Sequence, residues 1–127
     1  MIKNTITTKS AKKKMLLARA GKQTLPIITQ MVFGTGGVDA QGAAVAPQEG
    51  QEQLCQEIYR KDIGSVEVVS DTKIRYICTL EESELVGAEI SEIALADAEG
   101  DLVAIKTFLA KGKDGDFRMV FKVNDTM

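Results

Sequence analysis

The residues of this chain that are able to do chemistry are few, and their spacing is poor for it. There is no histidine. That removes the commonest general base and metal ligand, and with them any Ser–His or Cys–His nucleophile pair. Two cysteines remain, Cys55 and Cys78. Cys55 sits in QLCQE, where acidic neighbours discourage a thiolate. The spacing of the two thiols fits no metal motif and two cysteines make no disulfide framework, so both read as small core or half-buried residues in a reducing compartment. Glu81, Glu82 and Glu84 bring three carboxylates together. The link lacks the Gly or Asn turns that converge oxygen ligands on a divalent cation, so it reads as a solvated acidic loop. The pair Asp97 and Asp101 flanks a turn. The cluster Gly34-Thr35-Gly36-Gly37 follows an apolar run as a phosphate loop does, but no Gly-Lys-Thr/Ser ending or helix start follows. Gly34, Gly36 and Gly37 are therefore expected to let the backbone reverse. No enzyme, cofactor or metal site is expected.

Charge is the other chemical feature. The 127 residues carry a net charge of only −2. Residues 1–22 hold Lys3, Lys9, Lys12, Lys13, Lys14, Arg19 and Lys22 with no acidic group, leaving nine basic and all 18 acidic residues in the rest, a net of −9. Such asymmetry suits a nucleic-acid or membrane arm. It equally suits a basic helix matched to an acidic body, within the chain or between subunits. The second reading is favoured, because the acidic body is a ready partner and the arm has no aromatic residue for base stacking. The N-terminus has no apolar core of a secretory signal, and no run approaches a membrane span. The sequence thus reads as a soluble product of the cytoplasm.

The elements that must position these residues read as follows. Thr7 or Thr8 caps a helix over about 9–20, ended by Gly21 and Pro26. Pro26 to Phe33 is a strand. A long glycine-rich loop covers about 34–50. Gln51 to Glu57 suggests a turn or two of helix. Ile58 to Val69 reads as one strand with a bulge at Gly64. Lys73 to Leu80 alternates as a half-buried antiparallel strand. Glu89 to Leu109 is a β-hairpin whose turn, Ala98 to Asp101, uses Gly100 for its positive φ and Asp101 as a shoulder. Phe117 to Val123 is a strand expected to extend that hairpin into a meander. The architecture expected is α+β: an N-terminal helix packed on a mainly antiparallel sheet of about five or six strands, with residues 1–127 as a single domain and its β-rich part over about 57–124.

The order of residues resembles the N-terminal domain of phage tail-collar or tail-fibre proteins, from about Thr5 to Val123. TTKSAKKKMLLARAG resembles the family's short helix with Thr, Ala and Lys around a Gly. MVFGTGG resembles its strand and glycine corner, and LCQEIYRKDIGSV the strand after its long loop. The strongest piece is ISEIALADAEGDLVA, Ile90 to Ala104, beside the family's Ile-x-Glu-Ile-Gly-Leu-aromatic-Asp-x-x-Gly-Asp-Leu-Val/Ile-Ala. Two departures stand inside it. Ala94 replaces the usual glycine and Ala96 the usual aromatic, which implies a sheet face packed differently. A fibre of this type continues far beyond such a domain, whereas this sequence stops at Met127; the resemblance leaves open an attachment domain alone or a short prophage product.

The resemblance implies a virion structural protein of a phage or prophage, made in the bacterial cytoplasm. It implies docking of a fibre to the tail baseplate as a homo-oligomer, a trimer along the fibre axis, with baseplate or tail proteins as partners and neither nucleic acid nor membrane insertion. It carries no catalytic residues. Lys12, Lys13, Lys14 and Arg19 are the candidate partner contacts, since basic helix and acidic body can orient docking. The rival reading is a stand-alone module binding cell-surface carbohydrate. Against it, exposed aromatics for sugar stacking are scarce, and Tyr59 and Tyr76 both fall in strands.

Overall fold

The computed structural model describes residues 4–127; Lys3 of the basic segment lies outside them. Among the described residues the chain is mostly β, with one short helix and eight strands in two antiparallel sheets. The strands are β1 (Thr5–Thr7), β2 (Ile28–Gly34), β3 (Glu57–Asp62), β4 (Ser65–Ser70), β5 (Lys73–Leu80), β6 (Glu89–Asp97), β7 (Leu102–Gly112) and β8 (Met119–Thr126). The helix, α1 (Lys9–Arg19), lies between β1 and β2. One sheet runs β1-β7-β6-β2-β3 and the other β4-β5-β8.

Local chemistry accounts for α1. Thr8 is its N-cap, and the Thr8 hydroxyl accepts the Ala11 N–H at 3.1 Å while donating to the Leu102 carbonyl at 2.7 Å. One hydroxyl thus satisfies a helix-end donor and fastens the helix to β7. Gly21 adopts φ +75° just past the C-cap Ala20, the left-handed terminator that glycine permits. Only Ala11 of the helix is buried.

The two central strands explain the core. In β2, Met31 and Phe33 point into the main core and Val32 into a smaller one. In β6, Ile93 and Leu95 join the first, Ala94 and Ala96 the second. Apolar residues on both faces are the mark of a strand covered on both sides. Cys78 and Leu80 of β5 and Phe121 and Val123 of β8 complete the main core, so both sheets share it. The Phe33 and Phe121 rings cross between the sheets at 5.2 Å and 70°, an edge-to-face contact worth about 0.5–1.5 kcal/mol beyond its buried area. The smaller core is closed by Leu54 from the long loop, with Ile6 packed against it.

Several expectations need correction. The sheet of five or six strands is instead two sheets of five and three. The hairpin β6–β7 is present, with its turn at Gly100, φ +89°. It is not the middle of a meander: β6 pairs with β2, β7 with β1, and β8 pairs with β5 in the other sheet. The run 58–69 is not one bulged strand. The chain crosses from one sheet to the other at Ile63-Gly64, and β3 and β4 belong to different sheets. Residues 51–56 form no helical turn, so the irregular segment spans 35–56. Cys55 is exposed while Cys78 is buried, and the two are free thiols.

Candidate functional site

The hairpin turn and α1 meet through charge. Lys14 reaches across from the helix and its Nζ lies 2.7 Å from Asp97, 2.8 Å from Asp101 and 3.0 Å from Glu99. Burial works against the ammonium charge. The hydrogen bonds to Asp101, Asp97 and Glu99 more than offset it, and the Lys14 pKa is raised above the ordinary lysine range. Asp97 is buried and its other oxygen accepts the Glu99 and Asp101 N–H groups. Lys14 is therefore consumed inside the chain. Lys12, Lys13 and Arg19, by contrast, are exposed. They form a cationic face on a helix held rigidly by Thr8 and Lys14. The basic segment thus matches the acidic body in part, through one lysine.

The glycine cluster has a different purpose from the one its composition suggests. None of Gly34, Gly36 and Gly37 has positive φ. They are glycines because the chain passes against β6 with no room for a side chain. A Cβ on Gly37 would fall 2.0 Å from the Ser91 carbonyl oxygen, and one on Gly34 or Gly36 2.6 Å from its nearest neighbour. The reason for this approach is Glu92, a fully buried carboxylate. It accepts the N–H groups of Gly36 at 2.8 Å, Cys55 at 2.9 Å and Gln56 at 2.8 Å. Gly37 N–H donates to the Ser91 hydroxyl at 2.8 Å, and the Thr107 hydroxyl donates to the Val45 carbonyl at 2.6 Å. Both ends of the long loop are thereby tied to the hairpin. A negative charge met by three N–H dipoles is a satisfied structural group. Its signal in the sequence is a lone Glu inside the apolar run ISEIALA, beside a glycine corner.

The acidic link is also anchored. Glu84 accepts from the Tyr59 hydroxyl, from Lys61 Nζ and, at 2.8 Å, from the Glu81 N–H. Burial opposes its charge, but these donors win, and its pKa is lowered to about 2. Burial pushes the Cys78 thiol up to about 11. Among the described residues no group of His, Cys, Asp and Glu is placed to hold a metal ion, and no helix is long and apolar enough to cross a membrane.

The surface carries several concave features of about 230–520 Å³. An apolar groove of about 460 Å³ opens beside α1, lined by Ala11, Met15, Leu25, Ile27, Val66 and Met127 among others. A smaller cleft of about 230 Å³ lies between β7 and β8. Tyr59 is half-buried against Phe33 and bonded to Glu84, whereas Tyr76, half-buried in β5, lines the groove beside α1.

The family model described as phage tail-collar fibre protein, N-terminal, matches residues 2–118. No curated protein and no solved structure matches the chain. The match takes in α1, the glycine corner, the long loop and the whole Glu92-bearing hairpin. The chain therefore belongs to the N-terminal domain family of phage tail-collar fibre proteins, a structural family of the phage tail, and is virion-associated.

Proposed function

We propose that residues 1–127 act as a single, non-enzymatic attachment domain that docks a tail fibre to the baseplate through oligomeric contacts, as a trimer about the fibre axis. The observation that carries this reading is the immobilised cationic face of α1. Lys12, Lys13 and Arg19 are exposed on a helix pinned by Thr8 and Lys14. A rigid array of charge steers association and fixes register without a conformational search. Lys14 drops out of the contact set because three carboxylates already hold it. The partners are further copies of the chain and a baseplate or tail protein of the phage or prophage, assembled after synthesis in the host cytoplasm.

The test is sedimentation equilibrium of the chain over a range of concentrations, with affinity capture from disrupted phage particles. A trimer, or a captured tail protein, that is lost in the K12E/K13E/R19E variant supports the reading. A strictly monomeric protein that retrieves nothing from particles removes it. The triple variant is expected to keep its fold, because none of the three side chains makes an ion pair among the described residues.

A further inference from the structure

We infer that the cleft between β7 and β8 is a second docking site, which takes an extended peptide segment carrying alternating apolar and acidic side chains. The site stands independently of the cationic face of α1 and of the oligomer proposed for it.

Three observations converge on it. The first is backbone. β8 is the outer strand of its sheet, and among the described residues β1 and its flanking residues cover β7 from Val103 to Thr107. Beyond Thr107, β7 bulges away from β6 over Phe108 to Ala110 and pairs with it again at Lys111 and Gly112. The outer edge of β8 therefore borders the cleft with main-chain donors and acceptors on offer, and an open edge is a template for another strand. The second is the floor. Ile93 and Phe121 are buried at its base, and Phe108 is half-buried beside them. A volume of about 230 Å³ is below that of a small-molecule pocket and suits one or two side chains of a chain lying across it. The third is charge. Lys106, Lys111 and Lys122 line the rim, no carboxylate does, and none of the three makes an ion pair among the described residues. The ammonium of Lys111 stands 6.0 Å above the Phe108 ring, so cation and apolar surface are presented together. Edge, floor and rim ask for one occupant: a strand whose main chain pairs, whose apolar side chains enter the floor and whose alternate carboxylates meet the lysines.

The experiment titrates the ¹⁵N-labelled chain with a capped decapeptide of alternating Glu and Leu/Val. Its counterpart with Lys in place of Glu is the control. Expected are shift changes confined to residues 106–112 and 119–123, saturating below about 1 mM peptide. Affinity should weaken about tenfold in K111Q/K122Q and again on raising salt. Lys111 and Lys122 are exposed, so the variant's melting temperature should match the parent's, which separates lost binding from lost fold. Absence of shifts at about 1 mM, equal binding of the lysine peptide, or undiminished binding by K111Q/K122Q would overturn the inference. So would shifts centred on the groove beside α1. Concentration-dependent shifts in the same residues without any peptide would reassign the cleft to a second copy of the chain and overturn it as well. Only the last of these results bears on the oligomer, since it would place a contact between copies at the cleft; the others leave the trimer as it stands.

Discussion

Lys14 Nζ lies 2.7 Å from Asp97 Oδ2, and this contact joins the first helix to the turn end of a strand 83 residues away in sequence. Asp97 is buried and Lys14 nearly so. Substituting Lys14→Met keeps the apolar stem and removes the charge. It leaves Asp97 short of its strongest partner, at a cost of about 2 kcal/mol, or a fall in Tm on the order of 6–10 °C. The raised pKa sets the pH window. A lysine stabilised in the folded state contributes fully below its unfolded value and loses that contribution as pH rises through the folded one. The gap between parent and K14M should therefore hold through about pH 10 and shrink only above it. Thermal melts across alkaline pH read this directly; a gap that closes near neutrality would contradict it.

Glu92 gives the larger effect. Glu92→Ala strands the N–H groups of Gly36, Cys55 and Gln56 in a buried site. A cost of about 3 kcal/mol or more is expected. Glu92→Gln should recover only part of it, because its NH₂ end faces donors. Denaturant unfolding of the three proteins ranks them as parent, E92Q, E92A.

The glycine corner is tested by paired alanines. G37A puts a methyl on the Ser91 carbonyl and should destabilise by several kcal/mol or abolish folding (about 1–3 kcal/mol for ordinary overpacking, more where backbone is struck). At Gly115 the nearest atom to a new Cβ is 3.8 Å away and φ is not positive, so G115A should be neutral. Equal yields and Tm values for the two would refute the close-approach explanation.

Acid stability should depend on Glu84. Its folded pKa is depressed to about 2. A depressed carboxylate stabilises above its unfolded pKa, and that stability is lost as pH falls through the folded value. The stability difference between parent and Glu84→Gln should be constant above about pH 5 and disappear towards pH 2. Urea titrations at several acid pH values measure it.

The cysteines should separate cleanly. Cys55 is exposed, while Cys78 is buried with a thiol pushed up to about 11. A thiol reagent at pH 8 should label one group in the folded protein and two in denaturant. Prompt labelling of both in the native state would mean that the main core opens.

How much of this was legible follows from the range of the interactions. The helix and the hairpin turn were readable because Thr8, Gly21 and Gly100 act on their immediate neighbours. Partner choice between strands was not. Phe117 to Val123 follows the hairpin in sequence and alternates well, yet Phe121 and Val123 belong opposite Cys78 and Tyr76. Nothing local distinguishes that pairing from a meander. Gly64 looked like a bulge because the apolar pattern continues through it, although the chain changes sheet there. Of the four cationic contact candidates, one, Lys14, is spent internally. That distinction required knowing that the turn at 97–101 folds back onto the helix. The Ala94 and Ala96 departures acquire a physical meaning: both face the smaller core, where Leu54 from the loop occupies space across from them.

Glu92 holds the long loop by main-chain N–H groups alone. Every residue except proline carries that group, so the clasp is indifferent to which side chains the loop displays. Apart from the bare glycines at its near end, the clasp makes no demand on the side chains of segment 38–53, where the remaining requirements are local ones: positive φ at Gly42 and Gly50, the Asp39 turn and the buried Pro47. The exposed positions of the loop can therefore change while the anchor beneath them stays.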